Sequence, residues 1–194
     1  MQLEFYFDVG SPAAYLAYRR LQQLHEGGGI EVVNRPILLG GVFKATGNSA
    51  PGTVPAKGRY MLEQDLPRFA LRYGVALNFN PHFPINTLQL MRGVFAARDL
   101  DCEDAYIDAV FHGMWERPDN LGDAVILVQL LQSRGLDAAA IMERSSSPDI
   151  KQALIQATEE AVGRGVFGAP TMFLGEEMFF GQDRLDFVEE RVGA

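Results

Sequence analysis

The chain has 194 residues, 47% of them hydrophobic, enough to bury a substantial core in one domain or in one domain carrying an insertion. A formal charge of -8 argues against a nucleic-acid backbone as the main partner and leaves room only for a local anion site. The longest apolar run, AVILV with LL after Gln129, is far too short to span a membrane, and the N-terminus starts in a strand without a charged-then-apolar leader, so a cytoplasmic location is expected.

Along the chain, Leu3, Phe5, Phe7 and Val9 alternate with Glu4, Tyr6 and Asp8, the period of a strand. Gly10 breaks it. Ser11 and Pro12 then read as a helix start, because serine caps free amides and proline suits the first helical position. Ala14, Ala17, Leu21 and Leu24 recur at helical spacing, so the Ser11 hydroxyl is held at the positive end of a helix. GGG at 27–29 makes a turn, and IEVVNRPIL from Ile30 reads as a second strand. A parallel, right-handed βαβ unit follows, with a sheet buried on both faces.

From Gly40 the stretch GGVFKATGNSAPGTVPAKG is rich in glycine and proline, and helical patterns then dominate at 59–73, 87–98, 103–114, 123–133, 137–144 and 149–162. Strand signals return at TMFL (171–174) and EMFF (177–180) around the hairpin turn Gly175-Glu176, and a last helix follows Gly181. This order is an α/β, thioredoxin-like βαβ…ββα fold interrupted by an all-helical insert. Residues 1–39 and 163–194 form the thioredoxin-like domain and 40–162 the insert domain.

Cys102 is the only cysteine, which excludes an internal disulfide, a CxxC redox pair and a cysteine zinc cluster. His25, His82 and His112 lack metal-ligand spacing, and no metal is expected. The GxGxxG match at 163–168 ends a helix and precedes a strand, the reverse of a dinucleotide fingerprint, so it reads as a helix cap and turn.

GAPT at 168–171 puts Pro170 at the mouth of a strand, where a missing ladder donor is tolerable. In a thioredoxin-like arrangement that proline is cis and faces the helix start, turning the Ala169 backbone toward a peptide-like ligand. Gly181-Gln182-Asp183-Arg184 alone is an ordinary helix cap. Beside the other two segments, its amides suit a carboxylate and Asp183 an ammonium group, which fits a ligand with an α-amino acid end.

The segments FDVGSPAAYLA, PILLGGVFKATGN to KGRYM, PINTLQLMR, and GVFGAPTMFLG to GQDRL span nearly the whole chain. They resemble the glutathione-dependent 2-hydroxychromene-2-carboxylate isomerases and the kappa-class glutathione transferases, in the wider DsbA-like, thioredoxin-fold group. In that family the turn after strand one carries serine where redox relatives carry cysteine, and Ser11 stands there. The resemblance implies a glutathione cofactor whose sulfur takes the hydroxyl of Ser11, the catalytic residue. It implies further that Ala169 pairs with the cysteinyl backbone and that Gly181, Gln182 and Asp183 receive the γ-glutamyl end. Lys44, Asn48 and Asn86 would line the pocket of a small aromatic substrate, with Lys44 facing its carboxylate.

The reaction so implied is cis–trans isomerisation of 2-hydroxychromene-2-carboxylate through benzylidenepyruvate in aromatic, naphthalene-type catabolism. Neither nucleic acid nor membrane is a partner, and a homodimer is implied. A kappa-class-like glutathione transferase and a non-catalytic glutathione or peptide binder are the alternatives. A DsbA-like oxidoreductase is disfavoured by the missing cysteines.

Overall fold

In a computed structural model that describes residues 1–28 and 30–193, four strands form one sheet in the order β2-β1-β3-β4. β1 (Gln2–Phe7) pairs in parallel with β2 (Glu31–Pro36) and antiparallel with β3 (Thr171–Leu174), which pairs in turn with β4 (Glu177–Phe180). Helix α1 (Pro12–Glu26) crosses over from β1 to β2, and α10 (Leu185–Val192) follows β4 through a 3-10 turn at Gln182–Arg184.

Between β2 and β3 come α2 (Leu39–Thr46), α3 (Pro55–Tyr60), α4 (Leu66–Tyr73), α5 (Leu88–Asp99) and α6 (Glu103–Trp115). They are followed by α7 (Ala124–Ser133), α8 (Ala138–Ser145) and α9 (Pro148–Gly163). Among the described residues no helix is long and apolar enough to cross a membrane.

The alternation in β1 decides the layering. Leu3, Phe5 and Phe7 are wholly buried in the main core with Tyr15, Phe111 and Trp115, and the Phe7 and Phe111 rings lie 5.7 Å apart. On the other face Tyr6 meets Phe173, Ile37, Val42, Ala161 and Val166 in a second, smaller cluster. The central strand is therefore covered on both sides, as its apolar content requires. Arg19 ties α1 to α6 through Asp108 at 2.6 Å and Glu116, and Arg20 ties it to α10 through Glu189 at 2.7 Å.

The helices depart from the sequence reading in two places. The glycine-rich stretch after Gly40 opens with α2, which has no capping side chain of its own at Leu38. Its first amide, Leu39 N–H, is capped from elsewhere, by the Asp8 carboxylate at 2.9 Å. The single helix expected over 59–73 begins earlier, at Pro55, and passes through a π-turn, Met61–Asp65, before α4. Pro67 explains the turn: it lacks an amide proton and crowds the carbonyl four residues back, and the wider loop of a π-turn relieves both.

Candidate active site

Strand β1 ends against the start of α1, and the chain reverses there because Gly10 can approach Thr87 closely: a Cβ at position 10 would lie 2.9 Å from the Thr87 methyl. Ser11 is the N-cap, its Oγ accepting the Ala14 amide at 3.1 Å, with extended backbone angles. The Tyr15 amide goes to the Ser11 carbonyl and Pro12 has no amide proton. Ala13 N–H is thus the one amide of the first turn without an acceptor among the described residues. It stands at the positive end of a 15-residue helix, a place that favours an anion.

The Ser11 hydroxyl donates its proton to the Ala169 carbonyl at 3.1 Å, across 158 residues of sequence. Ala169–Pro170 is a cis bond, as expected from the position of Pro170 before β3. The loop carrying it is held on both sides. Asn48 Nδ2 donates to the Phe167 carbonyl at 2.8 Å, and Thr171 Oγ1 donates to the Gly168 carbonyl at 2.8 Å. Phe167 packs on Phe180 with ring centroids 4.4 Å apart, which ties this loop to β4.

Beneath the turn lies a residue that sequence reasoning missed as a site element. Asp8 is 1% exposed, and its carboxylate accepts from Gly10 N–H at 2.9 Å, Leu39 N–H at 2.9 Å and Thr87 Oγ1 at 3.0 Å. Burial pushes its pKa up while these three donors pull it back, and burial prevails. The signal for it was an acidic residue at the buried end of an apolar strand, two positions before a glycine.

After β4, Gly181 has φ of 100°, and a Cβ there would strike the Asp183 carboxylate at 2.4 Å; glycine alone fits. Gly181 N–H is taken by the Pro170 carbonyl at 3.0 Å, so this turn abuts the cis-proline loop directly. Gln182 is buried, with its carbonyl accepting the Tyr73 hydroxyl at 2.9 Å. Its amide and that of Asp183 have no acceptor among the described residues. The Asp183 carboxylate pairs with Arg184 at 2.5 Å.

The structure thus joins Ser11, Ala169 and Gly181 through short contacts and chain continuity. The three expected second-substrate residues are spread more widely. Asn48 holds the Phe167 carbonyl, and Asn86 Oδ1 caps the Leu88 amide at 3.0 Å at the start of α5. Lys44 lines a separate cavity between α2, α5 and α9 that neither asparagine reaches. Cys102 stands at the N-cap position of α6 without a side-chain cap bond, and burial together with Asp101 raises its thiol pKa.

Comparison with known proteins gives one answer at several levels. The DSBA-like thioredoxin domain family matches residues 2–193. A 2-hydroxychromene-2-carboxylate isomerase of Sphingobium xenophagum is 35% identical over 189 residues, 96% of this chain and 95% of that protein. The glutathione S-transferase kappa 1 of Rattus norvegicus is 26% identical, with coverage of 98% of this chain and 90% of that one.

A solved 2-hydroxychromene-2-carboxylate isomerase structure superposes with a TM-score of 0.90 at 32% identity, covering 100% of this chain and 95% of that chain. The disulfide reductase DsbM of Pseudomonas aeruginosa, solved with GSH, shares the fold alone, at a TM-score of 0.62 and 16% identity over 100% of each chain. With a serine at the head of α1 and no CxxC pair, this chain belongs to the 2-hydroxychromene-2-carboxylate isomerase family of enzymes within the DSBA-like thioredoxin domains.

Proposed function

We propose that the protein is a glutathione-dependent cis–trans isomerase acting on 2-hydroxychromene-2-carboxylate through its ring-opened benzylidenepyruvate. The observation that carries this reading is Ser11 at the start of α1, 3.1 Å from the Ala169 carbonyl, with no cysteine nearby in sequence. The nucleophile is borrowed from the tripeptide. The Ser11 hydroxyl turns from the Ala169 carbonyl to the glutathione sulfur, and with Ala13 N–H and the α1 dipole it favours thiolate over thiol. The freed Ala169 carbonyl pairs with the cysteinyl amide. The amides of Gln182 and Asp183 take the γ-glutamyl carboxylate, and Asp183 exchanges Arg184 for the ammonium group.

The thiolate adds to the benzylic carbon of the enone: a C–S bond forms, the C=C π bond breaks and its electrons move to the ketone as an enolate. The former double bond rotates. The enolate then expels the thiolate, restoring C=C in the trans geometry with glutathione unchanged. The protein contributes positioning and charge stabilisation at each stage. Lys44 serves the substrate carboxylate, Asn86 fixes the start of α5, and Asn48 fixes the loop that carries Ala169.

The test mixes enzyme, 2-hydroxychromene-2-carboxylate and sub-stoichiometric glutathione, and follows both trans product and free thiol. Many turnovers at constant thiol are expected. Thiol loss in step with product means a transferase, and no turnover with retained glutathione binding leaves a binding module.

A further inference from the structure

We infer that the cavity between α2, α5 and α9 binds an organic carboxylate with an apolar body, held by Arg92 and Lys151. The cavity has a volume of about 340 Å³, room for a compact one- or two-ring molecule. Its walls are largely aliphatic, from Leu38, Leu88, Leu154, Ile155 and Val162. Leu154 is buried, whereas Ile155 stands 49% exposed at the rim of the hollow.

Three cations converge on this apolar space: Lys44 from α2, Arg92 from α5 and Lys151 from α9. The protein carries 17 lysines and arginines against 25 acids, and most of its arginines are committed to carboxylates. Among the described residues none of these three forms an ion pair, although acids outnumber bases. Arg92 goes further. The Arg92 guanidinium lines the cavity, and its buried Nε has no hydrogen-bond partner among the described residues, so no neighbouring carboxylate or carbonyl claims the group.

An anion with an apolar body meets both demands at once, its charge at Arg92 and its body on the aliphatic wall. Glu159 lines the same cavity and offsets part of the positive charge, which suits a monoanionic carboxylate better than a phosphate dianion. Where Lys44 serves the second substrate the inference rests on the reading above, and it then gives that substrate's carboxylate a place. The site itself is testable without glutathione.

The experiment is calorimetric titration of the whole protein with 2-naphthoate, without glutathione, and in parallel with its neutral amide. Binding of the acid but not the amide is expected, and Arg92→Met and Lys151→Met should each weaken it about tenfold, the effect of one lost charge-assisted hydrogen bond. Lys151 is exposed, so its variant remains informative should Arg92→Met fail to fold. Equal affinity for acid and amide, or unchanged affinity in a folded Lys151→Met protein, overturns the proposal. Because glutathione is absent from the cell, either result leaves the isomerase reading to its own turnover assay.

Discussion

Ser11 does two jobs with one oxygen: it accepts from the Ala14 amide and donates to the Ala169 carbonyl. Both belong to the fold, the second tying α1 to the loop before β3. Ser11→Ala should cost about 1–3 kcal/mol, a lost N-cap together with a lost hydrogen bond to the Ala169 carbonyl, and the protein should remain folded. In the glutathione complex the ultraviolet thiolate absorbance should titrate at higher pH in Ser11→Ala than in the parent, and equal values would remove the hydroxyl from the chemistry. Asp8→Asn puts an amide NH₂ where an oxygen now accepts Leu39 N–H, leaving a buried donor facing a donor. The expected loss is about 1–3 kcal/mol, read as a lower urea midpoint at unchanged slope; a midpoint equal to the parent's would mean that the carboxylate anchors nothing. Ser11 was legible in the sequence because a cap and an N1 proline are local signals. The anchoring role of Asp8 was not, since two of its three donors lie 31 and 79 positions away.

At the scale of elements, the crossing of α5 and α6 depends on one missing side chain. A Cβ on Gly93 would lie 1.9 Å from the Tyr106 hydroxyl oxygen, and Tyr106 is wholly enclosed with that hydroxyl donating to the Leu90 carbonyl at 3.0 Å. Gly93→Ala should destabilise by about 3 kcal/mol, at the upper end of overpacking costs, despite the better helix propensity of alanine. A thermal melt within a degree or two of the parent would show that the two helices slide apart freely. The long amphipathic helices and the hairpin could be read from period and turn residues. α2 could not, because its cap is supplied by Asp8 from the end of β1 and its composition resembles a loop. Nor could the break at 61–65, where apolar spacing continues through Pro67 and only the backbone widens.

Over the whole molecule, the strand order and the swap from parallel to antiparallel pairing follow from where the helical crossovers fall, which is why the fold was legible while the spread of Lys44, Asn48 and Asn86 was not: loops and helix ends carry no periodic signal. The charge network sets the acid limit. Burial works to raise the Glu116 carboxyl, but hydrogen bonds and charge from Arg19 outweigh it and hold the pKa below the ordinary 4.5; Arg164 and Arg35 do the same for Glu4. A depressed carboxylate stabilises the fold above its unfolded pKa, and that share is lost as pH falls through the folded value. Asp8, raised by burial, acts in the other sense and relieves its cost on protonation. Melting temperature should therefore fall below about pH 4.5, and Glu116→Gln should flatten that decline; an unaltered slope would assign the acid limit to other groups. The Asp8 anchor also bears on how such chains can be recombined. One acceptor gathers donors from the first turn, from the segment just past β2 and from Thr87, deep in the helical block. A chimera that grafts a foreign helical block between β2 and β3 inherits a carboxylate short of one donor, so successful grafts should carry a hydroxyl or amide at the position facing it, or replace the aspartate.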